Sequence, residues 1–174
     1  MSRENCVRYV AKKCYRVKQI LSPDKPVSLL NKERSLKKIV VVGGCFDIVH
    51  LGHLIFLEKA KAKGDVLIVL LESDENIKKN KGPNRPINNQ NDRAVFLTKL
   101  KMVDYVIKLP EMKSDEDYLK IIKEIKPKVI AVSENDSNLE KKREQAKQIG
   151  AKVLIVSKIV PHQSTSRIID KIKI

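Results

Sequence analysis

The chain runs to 174 residues, room for one domain with a substantial core and short for two. Hydrophobic residues at 42% and charged residues at 33% exclude a disordered chain, and the longest apolar runs, 39–42 and 66–71, fall far short of the about 20 residues needed to cross a bilayer. A net charge of +15 admits nucleic acid, an anionic surface or a phosphorylated small molecule as partner, but with no Trp, three Phe and four Tyr the chain has few stacking platforms for nucleic acid.

Residues 3–21 predict an amphipathic helix. Val7, Val10, Cys14, Val17 and Leu21 recur at three- and four-residue spacing, with Arg and Lys between them. Residues 1–38 hold 11 basic and 3 acidic side chains, a net of +8, against +7 for the other 136 residues. On one helix Cys6 and Cys14 would stand about 12 Å apart, too far for a disulfide. Three reduced cysteines and no basic-then-apolar leader fit a cytoplasmic protein, with no membrane partner. Ser22-Pro23-Asp24-Lys25-Pro26 ends the helix, and a polar link through Arg34 leads on. The expected division is a basic helical extension over 1–36 and a main domain over 37–174. The extension reads as a packing or dimerisation helix, with a nucleic-acid tether or an organellar transit peptide as alternatives.

From Lys37 the pattern alternates. Strands are expected at 38–42, 65–72, 105–109, 128–132 and 152–156. Helices are expected at 51–63, 91–100, 114–125, 137–149 and from 164 onward. Ser114 caps the third of these, with Asp117 three residues on, and Gly150 stops the fourth. Residues 73–90 contain Gly82, Pro83 and Pro86 and show no clear element, a loop long enough to be functional. The strands are near-continuous Val/Ile/Leu runs, as buried parallel strands are. The fold class is therefore α/β: a doubly wound, five-stranded parallel sheet of Rossmann-like form with an N-terminal helical extension.

The strongest chemical signal is Gly43-Gly44-Cys45-Phe46-Asp47-Ile48-Val49-His50-Leu51-Gly52-His53. Two glycines leave the first strand, and two of the chain's three histidines follow at i and i+3 where a helix opens. Such rings share a helix face, and Gly52 between them leaves room for close approach. Free amides and the macrodipole of a helix N-terminus attract anions. The segment thus offers donors, a dipole and two imidazoles to one phosphoryl group in transit. A metal site built on His50, His53 and Cys45 or Asp47 is an alternative, and an incidental strand–loop–helix another. Neither Gly-x-x-x-x-Gly-Lys-Ser/Thr nor Gly-x-Gly-x-x-Gly occurs.

Gly44-Cys45-Phe46-Asp47 and His50-Leu51-Gly52-His53 resemble the HxGH signature of the cytidylyltransferase-like nucleotidyltransferases, most closely the adenylyltransferase domain of bacterial ADP-heptose synthases. Glycerol-3-phosphate cytidylyltransferase and archaeal FAD synthetase are similar but more distant. Ser73-Asp74, Lys78, Lys81-Gly82, Arg85-Pro86-Ile87 and Arg93 resemble the family's lysine-bearing loop and its Arg-Pro-Ile signature. Ser164-Thr165-Ser166-Arg167-Ile168-Ile169 resembles its Ser-Thr-Thr-x-Ile-Ile segment. The chain departs at Ser133-Glu134-Asn135-Asp136, where the heptose enzymes carry a glycine-bearing segment.

The resemblance implies transfer of a nucleoside monophosphate from a triphosphate to a phosphorylated acceptor, with pyrophosphate released. The implied catalytic residues are His50, His53, Lys78 and Lys81. Nucleotide contacts are implied for Gly43, Gly44, Cys45, Phe46, Asp47, Gly52, Asp74, Arg93, Ser164, Thr165 and Ser166. Arg93 could equally brace the loop, and His162 could touch the nucleotide or stand by. Lys79 does not sit at the matching position. Mg²⁺ is expected to arrive with the nucleotide, no dedicated carboxylate cage being evident. ATP is the first choice of donor and CTP the second. A sugar phosphate is the expected acceptor, with FMN as a rival, and a homodimer is implied. A nucleotide-binding sensor without turnover is the reading from another class, and nucleic acid is disfavoured as partner. All four segments follow predicted strand ends, so they converge on the sheet edge where such folds bind ligands.

Overall fold

A computed structural model describes residues 19–21, 37–158 and 164–172. Six parallel strands run β1 (Gln19–Leu21), β2 (Ile39–Gly44), β3 (Val66–Leu71), β4 (Tyr105–Lys108), β5 (Val129–Ser133) and β6 (Lys152–Ser157). The helices are α1 (Leu51–Lys61), α2 (Asp74–Lys81), α3 (Gln90–Lys99), α4 (Asp115–Ile125), α5 (Leu139–Ile149) and α6 (Thr165–Ile172). The strand order is β1-β4-β3-β2-β5-β6. From β2 the chain winds one way through β3 and β4, then returns to place β5 and β6 on the other side. The reversal lies between β2 and β5, which opens a crevice at their carboxyl ends.

Alternation along the strands separates two cores. Val40, Val42, Leu67, Val69 and Val106 face one side and pack with Leu57 and Ala60 of α1 and Ala94 and Leu97 of α3. Ile39, Val41, Ile68, Leu70 and Ile107 face the other and pack with Ile121, Ile122 and Ile125 of α4 and Ala146 of α5. Every residue of β3 is buried, so its polar groups are paired on both sides and its side chains are covered on both faces. Burial of this kind, at about 25 cal/mol per Å² of apolar surface, drives the assembly.

Two expectations are corrected. The sheet has six strands rather than five, and residues 19–21 are strand rather than the end of a helix. Gln19, Ile20 and Leu21 pair with Tyr105, Val106 and Ile107 of β4. The run Gln19-Ile20-Leu21 fits a helical stripe and an edge strand equally well, and the unpaired side of β4 decides between them. The rest of the expected extension, residues 1–18 and 22–36, lies outside the described residues, as do Cys6, Cys14 and His162. The second correction is α2, an eight-residue helix inside what reads as a loop. Its apolar content is a single Ile77, too little to show a period. Ser73 caps it by accepting from the Asn76 N–H, Asp74 and Glu75 fill its first turn, and Gly82 at φ 95° ends it.

Candidate active site

Three turns of chain carry the site. After Gly44 the backbone turns through Phe46, a non-glycine residue at φ 46°. That turn folds the Phe46 ring back over Gly44. A Cβ on Gly44 would stand 2.8 Å from the ring, so only glycine fits. The buried ring also meets His53, centroids 5.1 Å apart. At Gly43 a Cβ would meet nothing within 4 Å, so no protein packing requires this glycine. It borders open space at the mouth of the crevice.

His50 is the N-cap residue of α1, and His53 is its third helical residue. The His50 backbone N–H donates to His53 Nδ1 at 3.4 Å, which leaves the His53 proton on Nε2. The two rings stack at 3.9 Å with 27° between their planes. Burial, the neighbouring His50 and the Lys81 charge push the His53 pKa down to about 4. Burial lowers that of His50 as well. Both imidazoles are therefore neutral near pH 7. His50 Nδ1 is buried with no hydrogen-bond partner among the described residues. A polar atom left in this condition at the helix mouth costs about 1–3 kcal/mol until a partner reaches it.

Asp47 and Arg93 brace the loop and leave little for a ligand. Arg85 Nε donates to Asp47 Oδ2 at 2.6 Å, and the Ile87 and Asn88 amides donate to Oδ1 at 2.8 and 3.0 Å. Burial alone would raise the Asp47 carboxyl, but those amides and the Arg85 guanidinium outweigh it and hold the carboxyl low. Arg93 is 2% exposed. Its guanidinium donates to the carbonyls of Asn88, Cys45 and Glu72 and to Asp74 Oδ1. It ties the ends of β2 and β3 to the Arg-Pro-Ile loop, the bracing role of the two that its sequence context allows. Asp74 is taken up by Arg93 and by the Gln90 amide. Cys45 is a protonated thiol near neutral pH, since burial pushes it up against the pull of Lys81 and the two arginines.

Two cavities open at the strand ends, one on each face of the sheet, and Gly43, Gly44 and Asp136 border both. The smaller, about 240 Å³, lies over α1 and is lined by Phe46, His50, Gly52, His53 and Phe56, with Ser133, Ser157 and Lys158 opposite. The larger, about 860 Å³, lies over α4 and α5. Cys45, Glu72, Asn76 and Tyr118 line it, and five lysines surround it: Lys79, Lys81, Lys113, Lys141 and Lys142. Lys79 and Lys81 thus reach the crevice, whereas Lys78, expected there by the motif, lines neither cavity. On α2, Lys78 sits three residues before Lys81 and is exposed. Lys141 and Lys142 stand on α5, one side of which borders the cavity.

At α6, the Thr165 hydroxyl donates to the Ile48 carbonyl at 3.2 Å, which fixes the helix start beside the turn before His50. Ser164 Oγ accepts from the Arg167 N–H as an N-cap, and Ser166 is exposed. In the segment without glycine, Asp136 accepts from the Asn138 amide and pairs with Lys142 at 2.6 Å. Sequence reasoning missed Glu72, Asn76, Tyr118, Lys113, Ser157 and Lys158. Their one sequence signal is position: Glu72, Ser157 and Lys158 stand at or just past strand ends.

Among the described residues no group of three or more His, Cys, Asp or Glu side chains is placed to hold a metal ion. Mg²⁺ seeks about six oxygens, and Asp136 is the one carboxylate lining the histidine cleft. The residues present suit Mg²⁺ carried on triphosphate oxygens and water, with Asp136 the carboxylate that could meet it. No described helix is long and apolar enough to cross a membrane.

Comparison with known proteins places the chain in a family. The Cytidylyltransferase-like family model matches residues 41–171. The chain is 40% identical over 144 residues to the bifunctional protein HldE of Helicobacter pylori, covering 81% of this chain and 29% of that protein. It is 43% identical over 137 residues to HldE of Aliarcobacter butzleri, covering 79% of this chain and 27% of that one. The chain therefore spans under a third of the curated relatives it matches. A lipopolysaccharide core biosynthesis protein from Thermoplasma volcanium superposes with a TM-score of 0.59 at 29% identity, over 71% of this chain and 97% of its own. Pantoate-beta-alanine ligase from Francisella tularensis shares the fold, with a TM-score of 0.56 at 17% identity over 80% of this chain and 67% of that one. With its motifs in place at the strand ends and the family match spanning most of its length, the chain belongs to the cytidylyltransferase-like family of nucleotidyltransferases.

Proposed function

We propose that the domain transfers AMP from ATP to a phosphate oxygen of a sugar phosphate. The acceptor oxygen attacks the α-phosphorus in line, the bond from that phosphorus to the β-bridging oxygen breaks, and pyrophosphate leaves. No covalent enzyme intermediate is needed, because positioning and charge stabilisation suffice. The observation that carries the reading is the stacked, neutral pair His50 and His53 at the mouth of α1, with Lys81 near enough to depress His53. Neutral imidazoles with a free Nε2 proton can donate to phosphate oxygens as charge builds on them. Lys79 and Lys81 have no acidic partner among the described residues and line the larger cavity, from which they would neutralise phosphate charge where donor and acceptor meet. Gly43 leaves the space into which a phosphoryl group would fit. Mg²⁺, when bound, would screen triphosphate charge. The donor would occupy the histidine cleft and the acceptor the larger cavity, meeting over the Gly43-Gly44 ledge. The HldE relatives favour ATP over CTP and a sugar phosphate over FMN. A cytoplasmic homodimer completes the reading, and sedimentation at micromolar concentration tests the dimer.

The decisive experiment is pyrophosphate release in Mg²⁺ buffer, with ATP, CTP, GTP and UTP each tried against hexose and heptose 1-phosphates, glycerol 3-phosphate and FMN. One productive pair with ATP and a sugar phosphate, abolished by His53→Ala, supports the proposal. Nucleotide binding without turnover on any acceptor points to a sensor, and no nucleotide binding overturns the reading.

A further inference from the structure

Behind the ledge, the larger cavity holds a polar trio. Tyr118 projects from α4, Asn76 from α2, and Glu72 stands just beyond the end of β3. The Tyr118 hydroxyl lies 3.0 Å from both Glu72 carboxylate oxygens. Asn76 Nδ2 donates to the Tyr118 oxygen at 3.2 Å and reaches Glu72 Oε2 at 3.4 Å. Asn76 is buried and its helix is capped, so the donor is held in place.

An ionised carboxylate has about four lone-pair sites. Tyr118 supplies a single hydrogen and Asn76 a long second contact, and Glu72 makes no ion pair among the described residues. Burial raises the Glu72 carboxyl despite these donors, the mark of a carboxylate short of solvation. The trio therefore faces the cavity with acceptors to spare and calls for donors from a ligand. A cationic donor is disfavoured, because Lys79, Lys81, Lys113, Lys141 and Lys142 surround the same space. A neutral donor on an anionic molecule satisfies both conditions, and sugar hydroxyls are such donors. A volume of about 860 Å³ suits a ligand of that size.

We propose that Glu72, oriented by Tyr118 and Asn76, is the specificity residue for the acceptor and accepts hydrogen bonds from adjacent hydroxyls of its sugar ring. The assignment rests on the sugar-phosphate reading above and adds to it the residues that read the sugar. Glu72 touches substrate in this scheme, and Tyr118 and Asn76 are positioning residues.

The test uses the full chain with Mg²⁺ and ATP. Rates are measured against a hexose or heptose 1-phosphate that the wild-type protein turns over, and against its singly deoxygenated analogues. Glu72→Gln should raise the acceptor KM about 10- to 100-fold, with kcat and the KM for ATP little changed. For one or two deoxy analogues, the wild-type protein and the variant should converge, because the hydroxyl that Glu72 reads is missing. Tyr118→Phe keeps the ring in the core and should show the same pattern more weakly; it also serves if Glu72→Gln does not fold. A uniform loss across all analogues, or a change in the KM for ATP alone, would overturn the assignment while leaving the transferase reading intact. A wild-type protein that turns over no sugar phosphate would overturn both.

Discussion

At His50 a buried ring nitrogen without a hydrogen-bond partner among the described residues stands beside the cleft proposed for the triphosphate. This separates activity from stability. His50→Ala should lower kcat by about 100- to 1,000-fold, the scale of losing one oriented donor to a charged transition state. Its melting temperature should stay level or rise, because an unsatisfied polar atom leaves the protein interior. Paired kinetics and calorimetry check this, and a fall of several degrees would reveal a structural role instead. His53 supplies a proton-linkage test. Its pKa of about 4 lies below the ordinary 6.5 because burial, His50 and Lys81 all oppose its charged form. A bound triphosphate favours that charged form, so the pKa is higher in the complex than in the free protein. Binding must then take up protons, and ATP affinity must rise as pH falls through the raised pKa of the complex towards about 4. Titration calorimetry in two buffers of different ionisation heat measures the uptake. Proton release, or none, would sink the placement of phosphate beside these rings.

At the scale of elements, the site is held from below by side chains that contact no ligand in this scheme. Arg93 joins the ends of β2 and β3 to the loop before α3 through three carbonyls and Asp74. Arg93→Ala leaves those carbonyls without this donor and Asp74 without its cation, so it should cost about 3–5 kcal/mol in chemical denaturation. Arg93→Lys should recover only a small part, since one ammonium cannot span the same fork. A loss of activity at unchanged stability would mark Arg93 as a phosphate ligand instead. These contacts explain what the sequence could not tell. Gly43-Gly44 and His50-Leu51-Gly52-His53 are legible because local spacing alone puts them at a strand end and a helix mouth. Asp47 looks the same whether it meets a nucleotide or Arg85, because its partner is 38 residues away. The motif favours Lys78 over Lys79, but which of the two borders the crevice is set by α2, a helix too short and polar to show a period. Glu72 and Tyr118, 46 residues apart, meet only once the sheet forms.

At the scale of the whole molecule, the alternation of Val/Ile/Leu strands with amphipathic helices made the doubly wound sheet legible from Lys37 onward. The sixth strand was hidden because three residues carry no period of their own. Its docking on β4 has a sharp consequence for two neighbouring side chains. Leu21 is 6% exposed and belongs to the core cluster that includes Ile68 and Ile107, whereas Ile20 is 40% exposed. Successive strand residues point to opposite faces, so the two should differ strongly in cost although they are adjacent and similar in size. Leu21→Ala should cost about 2–4 kcal/mol through lost burial and a cavity, lowering the melting temperature by about 5–15 °C. Ile20→Ala should cost well under half as much, because its side chain already meets solvent. Equal losses at both positions would contradict a strand there. Deleting residues 1–36 removes β1 altogether and bares the hydrogen-bonding edge of β4. That variant should therefore aggregate on mild heating, while Leu21→Ala, with the edge still covered, should unfold without doing so. Light scattering recorded alongside the melting curve distinguishes the loss of a side chain from the loss of an edge.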